Sequence, residues 1–193
     1  MKKLLFLNAC MNRERSRTCR LGRELVALLR QSGDYETTLL ILEDESIPPL
    51  TSKTLNERTE MVKNQDFANP MFAYAKQFRE ADCIVIAAPY WDCGFPSVLK
   101  TYIEAISVPG LTYRYGEDGQ LQGLCRAEKL YYVTTRGGFI DDDSDLGYKT
   151  IVGIGRYCGI KDIRCISVAG LDIPVTDVES ALNRAVAELP DRL

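Results

Sequence analysis

Three segments of this chain combine polar anchors with glycine or aromatic residues in spacings that suit ligand chemistry. The longest is Pro89-Tyr90-Trp91-Asp92-Cys93-Gly94-Phe95-Pro96-Ser97, which follows the unbroken apolar run 83–88. A flat ring can rest on Tyr90 and Trp91 while loop N–H groups meet its polar edge. The second is Asn8-Ala9-Cys10-Met11-Asn12-Arg13-Glu14-Arg15-Ser16-Arg17-Thr18. Ser16 and Thr18 place hydroxyls at a helix start, where free backbone N–H groups and the helix dipole attract an anion; Arg15 and Arg17 add positive charge. The plainer alternative is a helix cap beside a solvated basic loop. The third is Thr134-Thr135-Arg136-Gly137-Gly138-Phe139, whose paired glycines let a backbone pass close to a ligand or adopt positive φ.

These segments gain meaning from the elements that must carry them. Apolar runs at 3–9, 37–42, 82–88, 127–135 and 162–169 read as strands, and the lack of alternation in 83–88 marks a strand buried on both faces. Pro89 stops that strand, and Pro96 fits the first turn of the next helix. Between the strands, helical stripes are predicted from Leu21 to Gly33, over 51–63, around Met71, Ala75 and Phe78, from Ser97 to Ile106, and over 146–158 and 178–189. Residues 111–115 and 120–122 read as a hairpin, with Asp118-Gly119 suggesting a type I′ turn. Strands alternating with helices predict an α/β fold, a three-layer sandwich whose five-stranded parallel sheet has the flavodoxin-like order 2-1-3-4-5. In such a sheet ligands bind beyond the carboxyl ends of the strands, at the switch point between the first and third. All three segments lie at that rim, where an anionic tail and a flat head suit a flavin mononucleotide.

Composition narrows the field further. The 193 residues fit one domain, 1–193, and the formal charge of −3 supplies no basic field for nucleic acid. No run approaches the ~20 apolar residues of a membrane span, and Asn8 ends the first apolar stretch too soon for a signal peptide, so a cytoplasmic location is expected. Seven cysteines without a CxxC pair read as reduced thiols. There is no histidine, which removes Ser-His-Asp and Cys-His nucleophile chemistry and most zinc sites, so no metal site is expected. The repeat Gly153-Ile154-Gly155-Arg156-Tyr157-Cys158-Gly159 lies in a helical pattern rather than after a strand, so it reads as helix packing and a cap, not a dinucleotide fingerprint. Asp141-Asp142-Asp143-Ser144-Asp145 reads as N-capping of the following helix.

With these residues in view, the chain resembles the FMN-dependent NAD(P)H oxidoreductases of flavodoxin-like fold, the azoreductase and quinone reductase group, over nearly its whole length. Ser16-Arg17-Thr18 stands where that family has a phosphate-binding Ser-x-Ser. Pro89 to Phe95 matches its isoalloxazine loop, including Tyr90, Trp91, Asp92, Cys93 and Gly94. Pro96-Ser97-Val98-Leu99-Lys100 matches the helix that follows, and Thr135-Arg136-Gly137-Gly138 matches a Ser-Arg-Gly-Gly loop. The resemblance implies FMN as cofactor, NADH or NADPH as hydride donor, a quinone, azo or similar small acceptor, and a homodimer. Arg136, in the loop after the fourth strand, is by its position a candidate for the flavin pyrimidine edge, favouring a reduced anionic ring, with a surface salt bridge as the alternative. Tyr90 or Asp92 are the candidate catalytic assistants, and hairpin 111–124 a candidate lid or dimer element. Three positions depart from the pattern: Cys10 replaces a serine at the phosphate, Asp92 an amide and Cys93 an aromatic.

Two other functions compete. A thiol phosphatase or arsenate reductase would use Cys10 in a Cys-x5-Arg loop, but Ser16 stands where the arginine is required. A flavin-binding electron carrier or redox sensor would share the cofactor and lack the catalysis.

Overall fold

The apolar runs become the strands of one parallel sheet because each can bury both faces. In the computed structural model, which describes Met1–Leu193, these are β1 (Lys2–Asn8), β2 (Tyr35–Ile41), β3 (Cys83–Ala87), β6 (Lys129–Thr135) and β7 (Asp162–Val168). Their order is β2-β1-β3-β6-β7 with every neighbour parallel, the 2-1-3-4-5 arrangement expected from the sequence. All five residues of β3 are buried, as its unbroken apolar run predicts.

Side chains alternate between two cores. Leu5, Leu7, Ile84, Ile86, Leu130 and Tyr132 face one side, under α3 (Ala73–Glu80), α4 (Ser97–Ile106) and α5 (Leu146–Tyr157). Leu4, Phe6, Val85, Tyr131 and Val133 face the other, against α1 (Arg17–Ser32) and α6 (Val178–Ala187). The remaining helix, α2 (Ser52–Lys63), buries no residue fully and leans on a small cluster around Phe72, Val108 and Leu111 through Met61 and Val62. Gly22 lets α1 press on the sheet: a methyl group there would lie 3.0 Å from Ala87 Cβ.

The hairpin is shorter than predicted, β4 (Tyr113–Tyr115) and β5 (Leu121–Gly123), and its turn is not type I′. Of the two turn residues only Gly119 has positive φ, at 73°. Gly119 N–H donates to Gly116 O at 2.9 Å, so the loop is Glu117-Asp118-Gly119, a type I turn closed by a left-handed glycine. The last helix also stops early, at Ala187, because Pro190 fits the 3-10 turn Leu189–Arg192 but not an α-helical interior. Pro96 caps α4 from one residue outside its first turn. No helix is long and apolar enough to cross a membrane.

Candidate functional site

The loops after β1, β3 and β6 meet in a single cleft of about 330 Å³ at the carboxyl rim of the sheet. Ser16, Arg17 and Thr18 form one wall, Pro89, Tyr90 and Trp91 a second, and Thr135, Arg136 and Gly137 a third. The walls are joined by hydrogen bonds between loops: Thr18 Oγ1 lies 2.6 Å from Thr135 Oγ1, and Tyr90 N–H donates to Thr135 O at 3.1 Å.

On the first wall, Ser16 is the N-cap of α1 and its Oγ accepts from Cys19 N–H at 3.1 Å. The N–H groups of Arg17 and Thr18 make no bond within the protein, as expected of a first helical turn, and both residues line the cleft at the positive end of the helix dipole. The Arg17 guanidinium is engaged elsewhere, donating to Asp172 Oδ1 at 2.8 Å and Leu171 O at 3.1 Å. Arg15 makes no ion pair and lines the cleft. Asp172 and Leu171, in the loop after β7, also line it and carried no motif in the sequence. Met11 and Asn12 complete this wall.

Cys10 lies behind the wall, not on it. It is buried, with Sγ 3.6 Å from Ala87 O. A thiol hydrogen bond with Cys19, reinforced by burial, pushes it far above the ordinary cysteine range. Buried and off the cleft wall, this thiol is not placed to attack a bound ligand, which removes the phosphatase reading. All seven cysteines are free, and Cys93 is the exposed one.

The second wall ends in a tight turn that the sequence did not announce. Trp91 and Gly94 exchange two backbone hydrogen bonds, 3.2 and 2.7 Å, and the residues between them, Asp92 and Cys93, have φ of 49° and 61°. This is a type I′ turn built without a glycine at either central position. It leaves Asp92 and Cys93 exposed at its tip, off the cleft wall, and holds Tyr90 and Trp91 on it. Burial, and then the Cys93 thiol beside it, raises the Tyr90 phenol, which stays protonated. A left-handed cysteine is strained relative to glycine, so Cys93→Gly should raise stability by roughly 0.5–1 kcal/mol. A urea midpoint that stays put or falls would show the turn to be unstrained.

On the third wall neither glycine has positive φ. A side chain at Gly137 would displace the exposed Asp172 carboxylate; Gly138 has open space and lies off the wall. Arg136 is neither a surface ion pair nor a free cation at a ligand edge. It is 1% exposed, and its guanidinium donates to Asp145 Oδ2 at 2.8 Å, Ile140 O at 2.8 Å and Asp142 Oδ1 at 2.7 Å. Asp145 is also the N-cap of α5, as the acidic stretch suggested, with Oδ1 accepting from Tyr148 N–H at 2.7 Å.

This rim, with the N-terminal turn of α1 facing an aromatic turn, is the ligand end of a doubly wound α/β protein. The flavodoxin-like fold family model matches residues 2–193, and the chain belongs to that family. It is 35% identical over 190 residues to the FMN-dependent NADH:quinone oxidoreductase of Clostridium beijerinckii, covering 96% of this chain and 95% of the relative. It is 33% identical to the enzyme of the same name from Caldicellulosiruptor saccharolyticus, covering 97% and 96%. The fold matches the crystal structure of azoreductase from Bacillus anthracis str. Sterne with TM-score 0.87 at 21% identity, covering 100% and 98%. It also matches an FMN-dependent NADH-azoreductase from B. anthracis str. Ames Ancestor in complex with FMN, TM-score 0.84 at 22% identity, covering 100% and 97%.

Proposed function

We propose that this protein is an FMN-dependent NADH oxidoreductase that reduces quinones, azo compounds or similar small acceptors. The observation that carries the reading is the pairing, across one cleft, of the unbonded Arg17 and Thr18 N–H groups with the Tyr90–Trp91 wall. The residues fit FMN. The N-terminal turn of α1 with Ser16 would hold the phosphate, the aromatic wall would stack the ring, and the Thr135–Gly137 backbone would close the third side.

FMN held there would supply two-electron hydride chemistry between a nicotinamide and the acceptor. The chain's own work is to bind, orient and exclude water. Tyr90 and Trp91 would narrow the cleft from one side and shield a bound ring from water. Asp92 stands exposed at the tip of the same turn. Chemistry of this kind needs no histidine, in keeping with the composition.

Cys10 supports the first wall from behind, and Cys93, Gly94 and Gly138 shape the loops that carry the other two. Free thiols fit a reducing cytoplasm. Trp91, Phe139, Leu146 and Val175 are large apolar residues left exposed in loops and a helix start at the carboxyl rim, and a second copy of the chain is the partner that fits them.

Purified protein supplied with FMN should take up the yellow chromophore, scatter light as a dimer, bleach anaerobically with NADH and recover its colour on adding a soluble quinone. Bleaching without recovery would favour an electron carrier that needs a protein partner; no uptake of FMN would end the proposal.

A further inference from the structure

Gly147 brings the first turn of α5 against the turn Trp91–Gly94. It is buried at the second position of the helix, and a methyl group built on it would lie 3.0 Å from each of three oxygens: Gly94 O, Asp145 Oδ1 and Tyr132 Oη. Two of the three are held in place. Tyr132 is buried in the core and stacks on Tyr148, with 6.1 Å between ring centres and 8° between planes. Asp145 is fully buried and held at both oxygens, by Arg136 Nε at 2.8 Å and by Tyr148 N–H at 2.7 Å. Arg136 is fixed in turn by Asp142 and by Ile140 O.

Gly94 alone belongs to a turn with an exposed tip, closed by its own two hydrogen bonds to Trp91. The start of α5 is therefore a fixed stop, and the turn is what rests against it. Helix propensity argues in the same direction. Alanine forms helix better than glycine, so propensity alone favours alanine at 147; the three close oxygens, Gly94 O among them, favour the smaller residue.

We propose that Gly147 is a positioning residue for the bound isoalloxazine. Its missing side chain, on a helix start pinned by the Arg136–Asp145 pair, sets how far the Tyr90–Gly94 segment closes over the cleft. The ligand in this proposal rests on the FMN reading above; the contact does not.

Gly147→Ala tests it, read by FMN affinity, by melting temperature and by the emission of Trp91, the only tryptophan in the chain. An added methyl presses on all three oxygens, and Gly94 O is the one whose segment is free to give way. The expected result is FMN binding ~10-fold weaker, acrylamide quenching of Trp91 altered in the ligand-free protein, and a melting temperature within about 2 °C of wild type, because helix propensity offsets the contact. Wild-type affinity with unchanged quenching overturns the proposal. Weaker binding that comes with a matching fall in melting temperature overturns it too, since that is loss of fold rather than of placement. If the wild-type protein binds no FMN, the functional reading fails instead, and quenching in the ligand-free variant still decides for or against the contact.

Discussion

Riboflavin should bind this protein at least about a hundredfold more weakly than FMN. The two ligands share the ring that Tyr90 and Trp91 would stack, and differ by the phosphate. That phosphate would take the Arg17 and Thr18 N–H groups, which have no other partner, and the Ser16 hydroxyl at the N-terminus of α1. A hydrogen bond to a charged group contributes roughly 1.5–3 kcal/mol, so losing two amounts to ~3 kcal/mol at the lower bound. At about 1.4 kcal/mol per decade this is a hundredfold.

The Arg17 guanidinium would add little, being committed to Asp172; the phosphate would be held by backbone donors and the helix dipole, with the unpaired Arg15 on the same wall. Added salt should consequently weaken FMN and leave riboflavin nearly unaffected. Fluorescence titration of both flavins settles the matter. Affinities within about fivefold of each other would mean that the helix start does not bind the phosphate, given charge-assisted bonds of this strength.

Asp145→Ala is expected to cost about 3–4 kcal/mol of folding stability. It removes one partner of a fully buried ion pair and the N-cap of α5 in a single change. Asp142 and Ile140 O remain on the guanidinium, which keeps the loss toward the lower end of the range for broken buried pairs. For a chain of this size the melting temperature should fall by roughly 6–16 °C. A loss below about 1 kcal/mol in urea titration would show that water enters and solvates Arg136.

The same cluster contributes to acid sensitivity. Burial alone would raise the Asp142 carboxyl, but hydrogen bonds from Arg136 and Ser167 and the Arg136 charge outweigh it, leaving the group below its ordinary 3.8. A carboxyl depressed in the folded state adds stability that is whole above the unfolded value and disappears as pH falls through the folded one. Unfolding of the wild type should therefore steepen below about pH 4. An Asp142→Asn variant should lose that part of the slope.

What was legible in the sequence was whatever local pattern dictates. The run Cys83 to Ala88 could bury both faces, so it became the central strand β3, and the spacing of Leu21, Leu25 and Leu29 placed α1 on the sheet. Alternation of strand and helix then set the sheet order, and with it the rim at which Ser16, Tyr90 and Thr135 meet.

Tertiary contact alone decided how those residues are used. Asp172 reaches Arg17 across 155 positions of chain, a distance at which no periodicity speaks. Arg136 looked available to a ligand, yet Asp145 and Asp142 fold back to consume its donors, because a buried guanidinium must be fully bonded. The type I′ turn was expected at Asp118-Gly119, where glycine makes it easy, and occurs at Asp92-Cys93, where the packing of α5 against Gly94 accompanies it. Patterning of apolar residues is a property of neighbours in the chain, whereas satisfaction of buried polar groups depends on neighbours in space, and the latter shapes the cleft.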